Sequence, residues 1–214
     1  MKHISQPRAA VNLLLVICVT VGCLLMAFGG IGLLSADGLG GLKYFTVQSN
    51  LLEGAASLIW LIGKAVCGKE KRWITALKYI ACTCVGLTFL TVMVFLGPLY
   101  GYPAMFQRAN LFFHLLVPLL AIAEFLLMNR EPVGMGENLA AVTPPLLYGA
   151  VYLVNILVHE PTGDPYAYDL YGFLLWGMPV GIAIFAVICL VTFLIGLGLR
   201  LGSRAIASGR QAGE

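Results

Sequence analysis

The stretch ANLFFHLLVPLLAIAEFLLM, residues 109–128, decides the fold. It lies between Arg108 and the pair Asn129-Arg130, and apart from Asn110, His114 and Glu124 every residue in it is apolar or proline. About 20 mainly apolar residues in a helix cross about 30 Å of hydrocarbon. A backbone in lipid must satisfy its polar groups within the segment, so a run of this kind is a helix.

Five further stretches read the same way. With this one they predict spans at Ala9–Leu34, Tyr44–Val66, Trp73–Leu96, Ala109–Met128, Leu139–Val158 and Gly172–Leu201. Short connectors rich in Gly, Pro, Asp and Lys separate them, among them Ser35–Lys43, Gly68–Arg72 and Asn129–Asn138, and none is long enough for a separate domain. The reading is therefore all-α: a polytopic membrane protein, residues 1–214 forming one six-helix domain. A β-barrel would show short alternating segments, which are missing.

Composition agrees. Of the 214 residues 60% are hydrophobic and only 11% charged, against about 25% charged in a soluble domain; the mean hydropathy is +0.91. This excludes an ordinary cytosolic enzyme, a secreted disulfide scaffold and a disordered chain. A net charge of +3, scattered along the chain, excludes a nucleic-acid partner. The first span follows Lys2 and Arg8 but is longer than the 7–15 apolar residues of a signal peptide, so it reads as a retained helix. The six cysteines, Cys18, Cys23, Cys67, Cys82, Cys84 and Cys189, form no C-x-x-C pair and read as small hydrophobes.

Lys and Arg set the expected orientation. An inward N-terminus puts Lys2, Arg8, Lys64, Lys69, Lys71, Arg72, Lys78, Arg130, Arg200, Arg204 and Arg210 on the inner side. Lys43 and Arg108 are left outside, which accounts for all 13. Both termini are expected to be cytoplasmic, in the plasma (inner) membrane if the chain is bacterial.

Ionisable groups inside a span are costly and mark function. Glu53 lies ten residues past Lys43, about 15 Å deep, near the midplane. Glu124 is nearer the inner surface, and Lys78 is close enough to a helix end to snorkel. Helix 2 carries Thr46, Asn50, Glu53 and Ser57, at offsets of 4, 7 and 11, on one face, with Ser49 beside them. Helix 4 carries Asn110 and His114, followed at the same spacing by Pro118, which removes a backbone bond to the His114 carbonyl. Helix 5 carries Tyr148, Tyr152, Asn155 and His159. Lipid penalises all three stripes, so they are expected to face one another.

Depth sharpens this. Thr46 and His114 lie about 4–5 Å and about 9 Å inside two helices that both start at the outer surface. If those helices are neighbours, a hydroxyl and an imidazole meet, a nucleophile beside a base. Plainer readings stand beside it. Taken alone, Thr46 reads as a capping or back-bonded hydroxyl, His114 as an interhelical hydrogen-bonder, Glu53 as a structural carboxylic acid, and the tyrosines as an aromatic belt. No G-x-S-x-G or H-E-x-x-H motif is present.

Lys43-Tyr44-Phe45-Thr46, with Thr46-Val47-Gln48-Ser49-Asn50 and His114-x-x-x-Pro118, resembles the androgen-induced / FAR-17a-like membrane proteins and their bacterial six-helix relatives. Pro165-Tyr166-Ala167-Tyr168-Asp169 is loosely similar to the Y-P-Y-x-x-L-D segment of those relatives, with Leu and Asp in a different order. The resemblance implies an intramembrane hydrolase of fatty acid esters of hydroxy fatty acids, with Thr46 as nucleophile and His114 as its partner.

For that chemistry Ser49, Asn50, Asn110 and Asn155 are the oxyanion candidates. Asn110, Asp169, Glu53 or a carbonyl of His114's own neighbours would orient His114. Arg108 with Lys43 would hold a free carboxylate or phosphate at the rim, and Glu53, Tyr152 and His159 are further substrate-binding candidates. No cofactor and no metal is expected; the partners are the bilayer and a membrane lipid or fatty-acyl ester. The rival readings are a small proton-coupled transporter, built on Glu53 and the prolines, and a non-catalytic lipid-binding membrane protein.

Overall fold

The computed structural model describes residues 5–28, 38–68, 70–159, 168–172 and 177–212. Six helices are long and apolar enough to cross a membrane. They are α1 (Ser5–Phe28), α2 (Phe45–Cys67), α3 (Arg72–Tyr100), α4 (Ala109–Met128), α5 (Met135–His159) and α6 (Met178–Ala212). A 3-10 turn, Gly38–Lys43, leads into α2, and a one-turn helix, Tyr102–Met105, precedes α4. Among the described residues there is no strand.

Helix α3 is the centre of the bundle, packing on α2, α4, α6 and the start of α5, while α1 packs on α2 and α4. The core joins Leu15 and Val19 of α1, Tyr79 and Val85 of α3, and Val117 and Phe125 of α4. The outside is apolar too: Leu24, Leu58, Val94, Leu147 and Val187 are exposed. Apolar surface all round suits a bundle solvated by lipid. Without a hydrophobic drive between helices, close approach depends on small residues. A Cβ at Gly22 would stand 2.6 Å from the Phe113 ring, and one at Gly54 would stand 2.9 Å from Val19.

Two prolines reshape two helices in the same way. The π turn Val92–Leu96 precedes Pro98 in α3, and the π turn Phe112–Leu116 precedes Pro118 in α4. Gly97 N–H bonds back to Val92, and Val117 N–H to Phe112, each five residues away. In that register the next carbonyls, Met93 and Phe113, would pair with the N–H of the proline, which has none. Side chains take over. Tyr102 Oη donates to the Met93 carbonyl at 2.8 Å, and Asn50 Nδ2 to the Phe113 carbonyl at 3.0 Å. Pro118 thus leaves the Phe113 carbonyl without an N–H in the register that the π turn sets.

The expected spans need four corrections at their ends. Helix α1 begins at Ser5 and is described to Phe28; its expected continuation to Leu34 lies outside the described residues. Helix α3 runs past Leu96 to Tyr100, because the π turn absorbs Pro98, and stops at Gly101 with φ 86°. Helix α5 starts at Met135, where the Glu137 carboxylate accepts the Gly134 N–H at 2.9 Å. Helix α6 starts at Met178 instead of Gly172, since Gly172 and Gly177 hold φ of 68° and 83°, and continues past Leu201 to Ala212.

Candidate functional site

The first turn of α2 and the π turn of α4 meet through Asn50. Its amide nitrogen donates to the Thr46 carbonyl at 2.7 Å and to the Phe113 carbonyl at 3.0 Å. One side chain therefore ties the residue carrying the candidate nucleophile to the neighbour of the candidate base. Val47 and Phe113 pack together beneath it with Met26 and Ala109. Ser49 Oγ donates to the Thr46 carbonyl and shares a 3.0 Å bond with Thr88 Oγ1. The Thr46 residue is half-buried, and its hydroxyl makes no hydrogen bond among the described residues.

His114 is 2% exposed, and its Nδ1 lies 2.8 Å from the carbonyl of Met105. A carbonyl only accepts, so Nδ1 carries the proton and Nε2 keeps its lone pair. The one-turn helix before α4 thus supplies the orienting group, in place of Asn110, Asp169 or Glu53. Asn110 is 1% exposed, and neither its Nδ2 nor its Oδ1 has a partner among the described residues. Of the four oxyanion candidates it is the one whose side-chain amide makes no hydrogen bond at all among the described residues. Both amide protons of Asn50 are taken, Ser49 is bonded to Thr46 and Thr88, and Asn155 donates to the Tyr168 carbonyl. Arg108, exposed at the start of α4, is the one described non-glycine residue with positive φ, at 49°. That strained backbone is a feature functional sites retain.

The α5 stripe does something other than expected. Tyr148 donates to the Lys43 carbonyl at 2.8 Å, and the Phe45 N–H donates to Tyr171 Oη at 3.1 Å. With the Tyr148 proton committed, Tyr171 must donate across the 3.1 Å between the two hydroxyls. Tyr152 donates to the Asp169 carboxylate and accepts the Tyr171 N–H at 3.0 Å. His159 binds the Asn155 carbonyl at 2.8 Å and stacks on Tyr168. Tyr152, Asn155, His159 and Asp169 thus fasten the segment before α6 to α5, while Tyr148 and Tyr171 pin the entry to α2. Of the proposed motif there, Tyr168 and Asp169 are described; Pro165–Ala167 lie outside the described residues.

The opposite half of the bundle holds a buried chain of charges. Glu53 Oε1 accepts from Lys78 Nζ and, at 3.2 Å, from Ser57. Lys78 Nζ stands 3.6 Å from Glu124 Oε2, and Glu124 Oε1 accepts from Arg8 Nε at 2.5 Å and from Asn12 at 3.2 Å. Arg8 Nη1 reaches Glu70 at 2.6 Å, and Thr75 donates to Glu70 at 2.8 Å. The guanidinium lies 4.9 Å over the Trp60 ring. Lys78 does not snorkel: like Glu53 and Glu124 it is 0% exposed, because the carboxylates hold it inside. Glu53 accordingly belongs to this chain of charges.

Sequence reading missed Arg8 and Asn12 as members. Arg8 was counted only as a topological cation, and it is 5% exposed. The legible signal was Asn12, a polar residue one turn into an apolar run. Among the described residues no cluster of His, Cys, Asp and Glu is arranged to hold a metal.

Fold and site together define a multi-pass membrane protein of six helices with polar sites in both halves of the bundle. No protein-family description, curated protein or solved structure matches the chain.

Proposed function

We propose that the chain is an intramembrane hydrolase of lipid esters, acting through Thr46 and His114, as its resemblance to the FAR-17a-like proteins implies. The carrying observation is the His114–Met105 bond of 2.8 Å, which orients the ring and leaves Nε2 as a base. The Asn50 bridge supports it by joining the backbones of Thr46 and Phe113.

In this mechanism a lipid ester enters sideways, and Nε2 of His114 takes the Thr46 hydroxyl proton. The oxygen attacks the ester carbonyl, and Asn110 Nδ2 donates to the oxyanion, a contact typically worth about 10²–10³ in rate. The alcohol departs with the proton from His114. Water then gives a proton to His114, attacks the acyl-threonine and releases the acid, returning Thr46 to its hydroxyl. Fatty acid esters of hydroxy fatty acids are the proposed substrate class, with Arg108 holding the free carboxylate. The cation distribution supports cytoplasmic termini, placing this site in the outer half.

Fluorophosphonate labelling of the purified chain, with the adduct located by mass spectrometry, tests the reading. An adduct on Thr46 that disappears in Thr46→Ala and His114→Ala is expected. Folded wild type without that adduct sinks it. One observation favours the second reading, a small proton-coupled transporter: the Glu53–Lys78 pair deep among the helices. A transporter tolerates Thr46→Ala better than Glu53→Gln, and the hydrolase shows the reverse. A non-catalytic lipid binder tolerates changes at both Thr46 and His114.

A further inference from the structure

The buried chain of charges is out of balance. Glu53, Glu124 and Glu70 face two cations, Lys78 and Arg8. Glu70 forms the mouth, its side chain 14% exposed, and the other four are sealed among α1, α2, α3 and α4. The four sealed groups sum to zero and the unmatched negative charge is that of Glu70 at the mouth, so the chain as a whole has room for one more positive charge.

The geometry shows where it goes. Four of the six carboxylate oxygens accept a hydrogen bond: Glu70 Oε1 from Thr75, Glu70 Oε2 from Arg8, Glu124 Oε1 from Arg8 and Asn12, and Glu53 Oε1 from Lys78 and Ser57. Glu124 Oε2 accepts none and stands 3.6 Å from Lys78 Nζ, and Glu53 Oε2 accepts none although Glu53 is 0% exposed. Lys78 stands between two carboxylates, bonded to Glu53 and 3.6 Å from Glu124.

We propose that Glu53 is a proton-binding site, loaded from the Glu70 face of the bundle, and that its proton shifts Lys78 from Glu53 to Glu124. A proton from water adds to the Glu53 carboxylate at Oε2. Lys78 stays an ammonium ion and closes on Glu124 Oε2, which has no hydrogen bond in the present arrangement. The loaded chain is then neutral, with three carboxyl groups, two cations and one proton. The groups facing Glu53 are Lys78, Cys82 and Cys84 from α3 and Glu124 from α4; from α1, Arg8 acts through Glu124, and Cys18 adjoins the Val19 that packs on Gly54. This site is separate from the Thr46–His114 pair and does not depend on the hydrolase reading.

Dicyclohexylcarbodiimide, which reacts with protonated carboxyl groups in apolar surroundings, tests it on the unmodified full chain in lipid nanodiscs. The expected result is an adduct on Glu53, located by mass spectrometry, falling about tenfold per pH unit above the midpoint. An adduct on Glu124 or Glu70 without one on Glu53, or no adduct at any pH, overturns the proposal. Infrared pH-difference spectra give a second measurement. One protonated-carboxyl band is expected in wild type and in Glu124→Gln, and none in Glu53→Gln. A wild type lacking the band, or a band surviving in folded Glu53→Gln, rejects the assignment.

Discussion

Asn50 of α2 donates to the carbonyl of Phe113 in α4 at 3.0 Å, and that is the carbonyl Pro118 leaves without an N–H five residues on. A proline defect in one helix thus becomes the attachment point for another. The same defect places His114, next in sequence, within 2.8 Å of the Met105 carbonyl.

Replacing Asn50 by Leu strands the Phe113 carbonyl in the bundle. A buried acceptor left alone costs about 1–3 kcal/mol, and unfolding in detergent should show a loss of that size. Pro118→Ala supplies an N–H at the missing position. The double variant should therefore be more stable than the two single effects added together. Strict additivity would mean that Asn50 does not serve the proline defect.

Pro118→Ala alone should keep or raise thermal stability, since proline disfavours a helix interior. It should also let α4 relax from its π turn and turn His114 away from Met105. Fluorophosphonate labelling at Thr46 is expected to fall at least about tenfold, the low end of what a positioned base contributes. Unchanged labelling would separate the π turn from catalysis.

Lys78→Met leaves Glu53 and Glu124 without their shared cation. Breaking a buried pair from one side costs about 3–5 kcal/mol. Adding Glu53→Gln to that variant should recover much of the loss, which a thermal-unfolding cycle over the four proteins reads directly. No recovery would mean that Lys78 stabilises the bundle through something other than Glu53.

Tyr171 joins the entry of α2 to α5, and burial pushes its phenol above the ordinary tyrosine value. The folded state then holds this proton more tightly than the unfolded chain does. Its contribution to stability is complete below about pH 10, the ordinary tyrosine value, and is lost as pH rises further. Tyr171→Phe should lower stability at neutral pH and flatten part of the decline at alkaline pH. A decline as steep as in wild type would assign it to other groups.

Arg108→Ala should raise KM more than it lowers kcat for esters carrying a free carboxylate, with neutral esters little affected. Equal falls for both substrate kinds would remove Arg108 from substrate binding.

Six helices were legible in the sequence because each had to be continuous and apolar, a local property that lipid imposes on every span. The stripe Thr46, Asn50, Glu53 and Ser57 was legible for the same kind of reason, as spacing along one helix determines a shared face. Helix ends were less so: the start of α6 depends on the conformations of Gly172 and Gly177, and the length of α3 on how Pro98 was absorbed. Partners were not legible at all. Nothing in the local pattern says that Lys78 turns inward to Glu53, that Arg8 binds Glu124 more than a hundred residues away, or that the carbonyl orienting His114 belongs to Met105. Sequence periodicity states which side of a helix is polar. Which polar groups meet depends on how the helices are arranged and on where the π turns shift their register, and those were decided only when the bundle packed.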